Sequence, residues 1–182
     1  MFFDLISAFK QDVVKTRYAS FEELADYARL SANPVGRLIL ELFDIRDSEA
    51  FRYSDMVCSA LQYANFLQDT GVDFRKGRIY LPLNELEKFS VGENLFDLDE
   101  KNVNIKSLMK FQVDRIENLF TEGKNLLKSL RGRLRFEISW TILGGLLILE
   151  KIRQMDYNVV FKRPVLTKKD FFILLCKAMV MR

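Results

Sequence analysis

The residues best placed to do chemistry lie in one stretch, Gln62-Tyr-Ala-Asn65-Phe-Leu-Gln-Asp69-Thr-Gly-Val-Asp73. Gln62, Asn65, Asp69 and Asp73 follow one another at intervals of three, four and four residues. On a helix of 3.6 residues per turn that spacing gathers them into a single polar stripe. Leu61, Ala64 and Phe66 interleave with the stripe, so the helix is expected to be largely buried. Two carboxylates four residues apart repel by about 0.2–0.5 kcal/mol on an exposed helix, and by more when desolvated. A divalent cation reverses that sign, and Mg²⁺ in particular uses one or two carboxylates together with phosphate oxygens and waters. A bare pair of aspartates at this spacing also fits a solvated helix face. The amides upstream, and Arg75, Lys76 and Arg78 just downstream, point instead to a metal–diphosphate site.

Composition narrows the chemistry further. The 182 residues include no histidine, which excludes Ser-His-Asp and Cys-His nucleophile pairs, HExxH zinc sites and imidazole proton shuttles. Two cysteines, Cys58 and Cys176, cannot build a Cys-rich zinc site and read as reduced, packed thiols. Twenty-eight basic against 25 acidic residues leave a net charge of +3, too mild to imply a nucleic-acid partner. Basic residues gather late in the chain (Lys162, Arg163, Lys168, Lys169, Lys177), as a solvated face or one meeting an anionic surface. The opening MFFDLISAFKQD lacks a basic leader and is interrupted by Asp4, unlike a signal peptide. The longest apolar run, Ile138 to Leu149, is too short to cross a bilayer. A cytoplasmic protein is expected, with peripheral membrane contact left open.

The elements that must position the stripe read as helices throughout. Phe2, Leu5, Ile6, Phe9 and Val13 recur at helical spacing. Ser20 with Glu23 forms a capping box for the next helix, and Pro34 should kink the run that follows. A third helix is expected from Ser48 through Asp73, then a short extended piece, Lys76 to Pro82, and a polar connector from Gly92 to Asn104. A long helix from Ile105 through Leu127 is weakened at Gly123, a second runs from Leu134 to Met155, and Thr167 with Asp170 caps a last one. The Gly144-Gly145 pair would allow close helix approach or a bend. No alternating strand pattern or repeat interrupts this order, so residues 1–182 are read as one all-α domain.

The string LQYANFLQDTGVDFRKGRIYLP, Leu61 to Pro82, resembles the second aspartate-rich motif of squalene and phytoene synthases with the GRxYLP element that follows it. YARLSANPVGRL, Tyr27 to Leu38, is similar to the family's Tyr-containing kinked helix, and its SANPVGRL form resembles the hydroxysqualene synthase branch of hopanoid biosynthesis. Gly144-Gly145 and Arg163-Pro164-x-Leu166 also match that branch. The resemblance implies an isoprenoid synthase-type helical bundle around an apolar cavity, with Mg²⁺-bound diphosphate at its mouth. It implies Asn65, Asp69 and Asp73 as Mg²⁺ ligands, with Gln62, Asn65 and Arg78 binding the substrate. Tyr27 and Tyr80 would lie near the leaving group. The implied reaction converts presqualene diphosphate to hydroxysqualene, with head-to-head condensation of farnesyl diphosphate as the alternative.

The family's first aspartate-rich motif lies N-terminal to everything that aligns here. An N-terminally incomplete bundle is therefore expected, its missing half belonging to a longer polypeptide or to another chain. Glu22 and Asp26 are the nearest local acidic pair, in a first helical turn where the helix dipole favours acids without any metal. Incompleteness should expose apolar faces of the Asp69 helix and of the Leu134–Met155 helix. Half a metal site should turn over little by itself, and a non-catalytic half-domain that needs a partner chain is the remaining alternative.

Overall fold

Long apolar-periodic stretches with scarce Gly and Pro fold as helices, and the computed structural model, which describes residues 1–97 and 99–180, is helical with no strand among them. In chain order the helices are α1 (Phe2–Val14), α2 (Phe21–Ser31), α3 (Asn33–Leu42), α4 (Ser48–Gln68) and α5 (Thr70–Arg75). They continue with α6 (Leu83–Lys88), α7 (Val103–Gly123), α8 (Gly132–Gln154) and α9 (Lys168–Val180). The central helix is α4, wrapped by α3, α7 and α8, with α9 laid along α8. Val57, Ala60 and Ala64 of α4 meet the core that Leu108, Met109, Ile116 and Phe120 of α7 build with Ile142, Leu149 and Ile152 of α8. At the Gly144-Gly145 pair, a Cβ on Gly145 would collide with the ring of Phe120, so close approach is the use made of it; Gly144 faces open space.

Local signals account for the helix ends. The Glu23 amide donates to Ser20 Oγ at 3.4 Å, while the Glu23 carboxylate turns to the Ala19 amide and to Lys15. Asp170 accepts from the Thr167 amide at 2.7 Å and returns its own amide to Thr167 Oγ1 at 3.2 Å. Pro34 sits in the first turn of α3, where its missing donor is not needed, and the break before it falls at Ala32. Cys58 and Cys176 are free, half-buried thiols, and burial pushes Cys58 up to about 11.

Several expectations require correction. The helix expected from Ser48 through Asp73 breaks at Asp69, and α5 restarts at Thr70. Thr70 Oγ1 bonds back to the carbonyls of Phe66 and Leu67, both at 3.0 Å, which bends a helix. The connector from Gly92 contains a 3-10 turn, Leu95–Asp97, that seats Leu95 fully in the core. The stretch after Pro82 folds as α6, and α7 ends at Gly123, passing into a second 3-10 turn, Lys124–Lys128, that buries Leu126 and Leu127.

Exposed apolar surface also falls elsewhere than expected. Among the described residues, α4 and α8 expose no large apolar side chain, because α7 and α9 cover them. The uncovered surface lies on α1 (Phe2, Phe3, Ile6, Phe9, Val13), on the end of α3 (Leu42, Phe43) and on α9 (Phe171, Phe172).

Gly71 fixes the break. A Cβ there would strike the carbonyl oxygen of Val160, in the turn after α8. Gly71→Ala should therefore cost roughly 1–3 kcal/mol, as overpacking against rigid backbone does. A urea midpoint unchanged from wild type would show that the turn can move aside.

Candidate diphosphate and metal site

The break gives the polar stripe its geometry. The Asp69 amide bonds to the Asn65 carbonyl at 2.9 Å, and the Asp73 amide to the Asp69 carbonyl at 2.8 Å. Helical connection from Asn65 to Asp73 thus persists through the kink. Asn65 is exposed and lines a cleft of about 480 Å³ between α4, α8 and α9, with Gln68, Gly144, Ile148, Arg163 and Phe171 on its walls. Gln62, a turn before Asn65, is half-buried and lies outside the lining of that cleft.

Asp69 sits at the kink, paired through both oxygens with the guanidinium of Arg163, Nη2 to Oδ2 at 3.3 Å. Asp73 lies behind it, 16% exposed, with Lys76 Nζ at 4.0 Å. Its carboxyl is raised from its ordinary value, by burial first and by the charge of Asp69 second. Asp73 also faces inward, lining a small enclosed hollow with Arg78, Tyr80, Phe66 and Thr70. Arg78 donates to the Asp12 carbonyl at 3.1 Å, which ties the GRxYLP element to α1.

Tyr27 and Tyr80 belong to an aromatic cluster beside this hollow. Tyr80 stacks on Phe66 with centroids 3.8 Å apart and planes 4° from parallel. Tyr27 stands 6.4 Å from Tyr80 and 5.6 Å from Tyr18. Burial raises the phenol pKa of both Tyr27 and Tyr80, and Asp12, hydrogen-bonded to Tyr27, raises that group further. Both are therefore neutral hydrogen-bond donors near pH 7, not bases.

Of the predicted site residues, Asp73, Arg78 and Tyr80 line one hollow and Asn65 borders the cleft, while Asp69 lines neither and is paired with Arg163 of the cleft wall. Arg163 was legible only as part of a matching RPxL string, without a role; its partner lies 94 residues earlier in the chain. The acids Glu22 and Asp26 stand apart from this site, Asp26 against Arg29 at 3.4 Å on the surface of α2. Among the described residues no group of three or more acidic or thiol side chains is placed to hold a metal. Two carboxylates and an amide one turn apart do match the hard oxygen donors of Mg²⁺, which keeps waters and phosphate oxygens in its remaining positions. The like-charge strain on Asp73 is what a dication there would relieve.

The family model for squalene/phytoene synthase matches residues 1–170. The chain belongs to the squalene/phytoene synthase family. It is 33% identical to a hydroxysqualene synthase of Sinorhizobium fredii over 84% of its own length and 53% of the relative's. It is 34% identical to a phytoene synthase of Mycobacterium bovis over 73% of this chain and 45% of that one. The crystal structure of a squalene synthase from Alicyclobacillus acidocaldarius superposes with a TM-score of 0.81 at 40% identity, over 86% of this chain and 60% of the other. A dehydrosqualene synthase, at 21% identity, shares the fold with a TM-score of 0.88 over 98% of this chain and 63% of that one. The chain thus spans about half the length of the curated relatives it matches.

The raised proton affinity of Asp73 has a consequence for stability. A carboxyl whose folded pKa lies above its unfolded value disfavours the fold increasingly as pH rises through the folded pKa. Below the ordinary Asp pKa of about 3.9 the penalty is absent. Asp73→Asn should therefore stabilise this synthase-family chain by about 0.5–1 kcal/mol at neutral pH. The gain should vanish near pH 3, below the ordinary carboxylate range. Thermal melts of both proteins across that range check it, and a destabilised variant at neutral pH would contradict it.

Proposed function

We propose that this chain forms the diphosphate-holding part of an isoprenoid synthase site that converts presqualene diphosphate to hydroxysqualene. The observation that carries the reading is the adjacency of charge and π surface on one short segment. Phe66, stacked on Tyr80, stands between Asn65 and Asp69 in the chain, while Asp73 and Arg78 line the same hollow as that stack. Ionisation needs both: charge stabilisation for the departing diphosphate and a flat, electron-rich wall for the carbocation left behind.

In this reading Asn65, Asp69 and Asp73 hold Mg²⁺, which when bound neutralises charge on the leaving diphosphate. Arg78 and the amides of Gln62 and Asn65 offer N–H donors to diphosphate oxygens. Tyr27 and Tyr80, kept as neutral phenols, donate to the leaving oxygen as the carbon–oxygen bond breaks. A water oxygen then bonds to the cation and loses a proton, giving the alcohol. The apolar lining of α4 and α8, including Leu61, Ala64 and Ile148, admits the isoprenoid chains and limits stray water.

Turnover requires further acidic groups across the cleft, since the described residues bring no third acid to the pair. The helical segment that supplies them is expected to pack on the uncovered apolar faces of α1 and α9, either within a longer polypeptide or as a partner chain. Head-to-head condensation of farnesyl diphosphate is the second reading, supported by the 40% identity to a squalene synthase of solved structure.

The test completes the chain with the N-terminal segment of the Sinorhizobium fredii relative and supplies labelled presqualene and farnesyl diphosphates. Hydroxysqualene from the former is expected, and Asp73→Asn should slow diphosphate release by about 100-fold, as removal of one charge-stabilising group does. Consumption of farnesyl diphosphate alone would favour condensation. A folded, completed protein that consumes neither would leave a non-catalytic helical half-domain.

A further inference from the structure

The turn after α8 is fastened to the kinked segment at two backbone points. Gly71 packs against the carbonyl of Val160, and Gln68 Nε2 donates to the carbonyl of Pro164 at 2.7 Å. Arg163 lies between those points and spans both oxygens of Asp69. Asp69 is 19% exposed and Arg163 is 45% exposed. The carboxylate is therefore seated, while the arginine is a long, half-exposed side chain on an anchored backbone, in the wall of the cleft.

The geometry points to Arg163 as a resident counter-ion of Asp69 that must withdraw before Mg²⁺ can bind, and that then turns to the diphosphate. The inference rests on the metal role proposed for Asp69.

Guanidinium groups pair in two-pronged fashion with carboxylates and phosphates alike, so Arg163 can exchange one partner for the other by side-chain rotation alone. While it holds Asp69 it occupies the carboxylate's outer face and repels a second cation. Metal by itself must displace it without compensation. When diphosphate is present the displaced guanidinium gains a new anionic partner, so each ligand favours the other by the same factor. The empty site stays near charge balance, and the positive charge that drives ionisation assembles only around a bound diphosphate.

Mn²⁺, followed by its paramagnetic resonance, serves as the probe with the 182-residue chain. Arg163→Gln should bind Mn²⁺ alone about tenfold more tightly than wild type, within the usual range of coupling between sites. Arg163→Lys, which keeps the charge but not the fork, should fall between the two. With Mn²⁺ saturating, calorimetry should show pyrophosphate binding to Arg163→Gln weakened by at least about fivefold. If wild type and Arg163→Gln bind Mn²⁺ equally while Asp69→Asn abolishes binding, the counter-ion role falls and the metal site stands. Tighter Mn²⁺ with unchanged pyrophosphate affinity would overturn the exchange. If none of the proteins, nor the chain completed with the N-terminal segment of the Sinorhizobium fredii relative, binds Mn²⁺ at millimolar concentration, with or without pyrophosphate, the metal reading falls and takes this inference with it.

Discussion

Two carboxylates held one turn apart at the end of a long helix set the electrostatic problem that the surrounding structure answers. Asp69 caps α4, where the last backbone carbonyls already concentrate partial negative charge. Asp73 adds a second carboxyl, further inside, whose proton affinity rises because it is buried and because Asp69 is near. A protein selected for stability alone would not keep both. For Asp69 the compensation comes from Arg163, carried on a turn that the fold presses against the helix break, and for Asp73 from Lys76 and then Arg78. The kink, the glycine at its contact and the turn after α8 therefore form one device. In the proposed reading that device serves a dication and an anionic ligand brought to the same place.

Much of the fold was legible because helical periodicity and capping are local. Ser20 with Glu23 and Thr167 with Asp170 marked helix starts, whereas the single stripe suggested by the spacing from Gln62 to Asp73 is divided by the fold, with Asn65 on the cleft and Asp73 in the hollow. The break at Asp69 was not legible, because it depends on Thr70 bonding backward and on Val160 arriving from far along the chain. Nor did spacing place Tyr27 beside Tyr80, or Arg163 on Asp69, since each pair joins segments that meet only after folding. The resemblance to a family supplied the two tyrosines, while the arginine's partner is set by the fold alone. For α1 the periodicity was right but its direction was not evident: Phe2, Phe3, Ile6 and Phe9 share a face that points outward.

That outward face bears on the chemistry as much as on solubility. A carbocation survives only where water is rationed, and the cleft beside Asn65, at about 480 Å³, is bounded by α4, α8 and α9. On α9, Phe171 lines that cleft and meets Trp140 with the rings edge-on at 6.4 Å. Its neighbour Phe172 and the row on α1 remain uncovered, a larger apolar surface than solvent alone favours. In the proposed reading these are two views of one requirement. Helices that cover the apolar faces would also bring the remaining acids opposite Asp69 and Asp73, so closing the cavity and completing the charge site become a single event. A covering segment without acidic residues would relieve the exposed surface and leave the carboxylate pair as it is, held by Arg163.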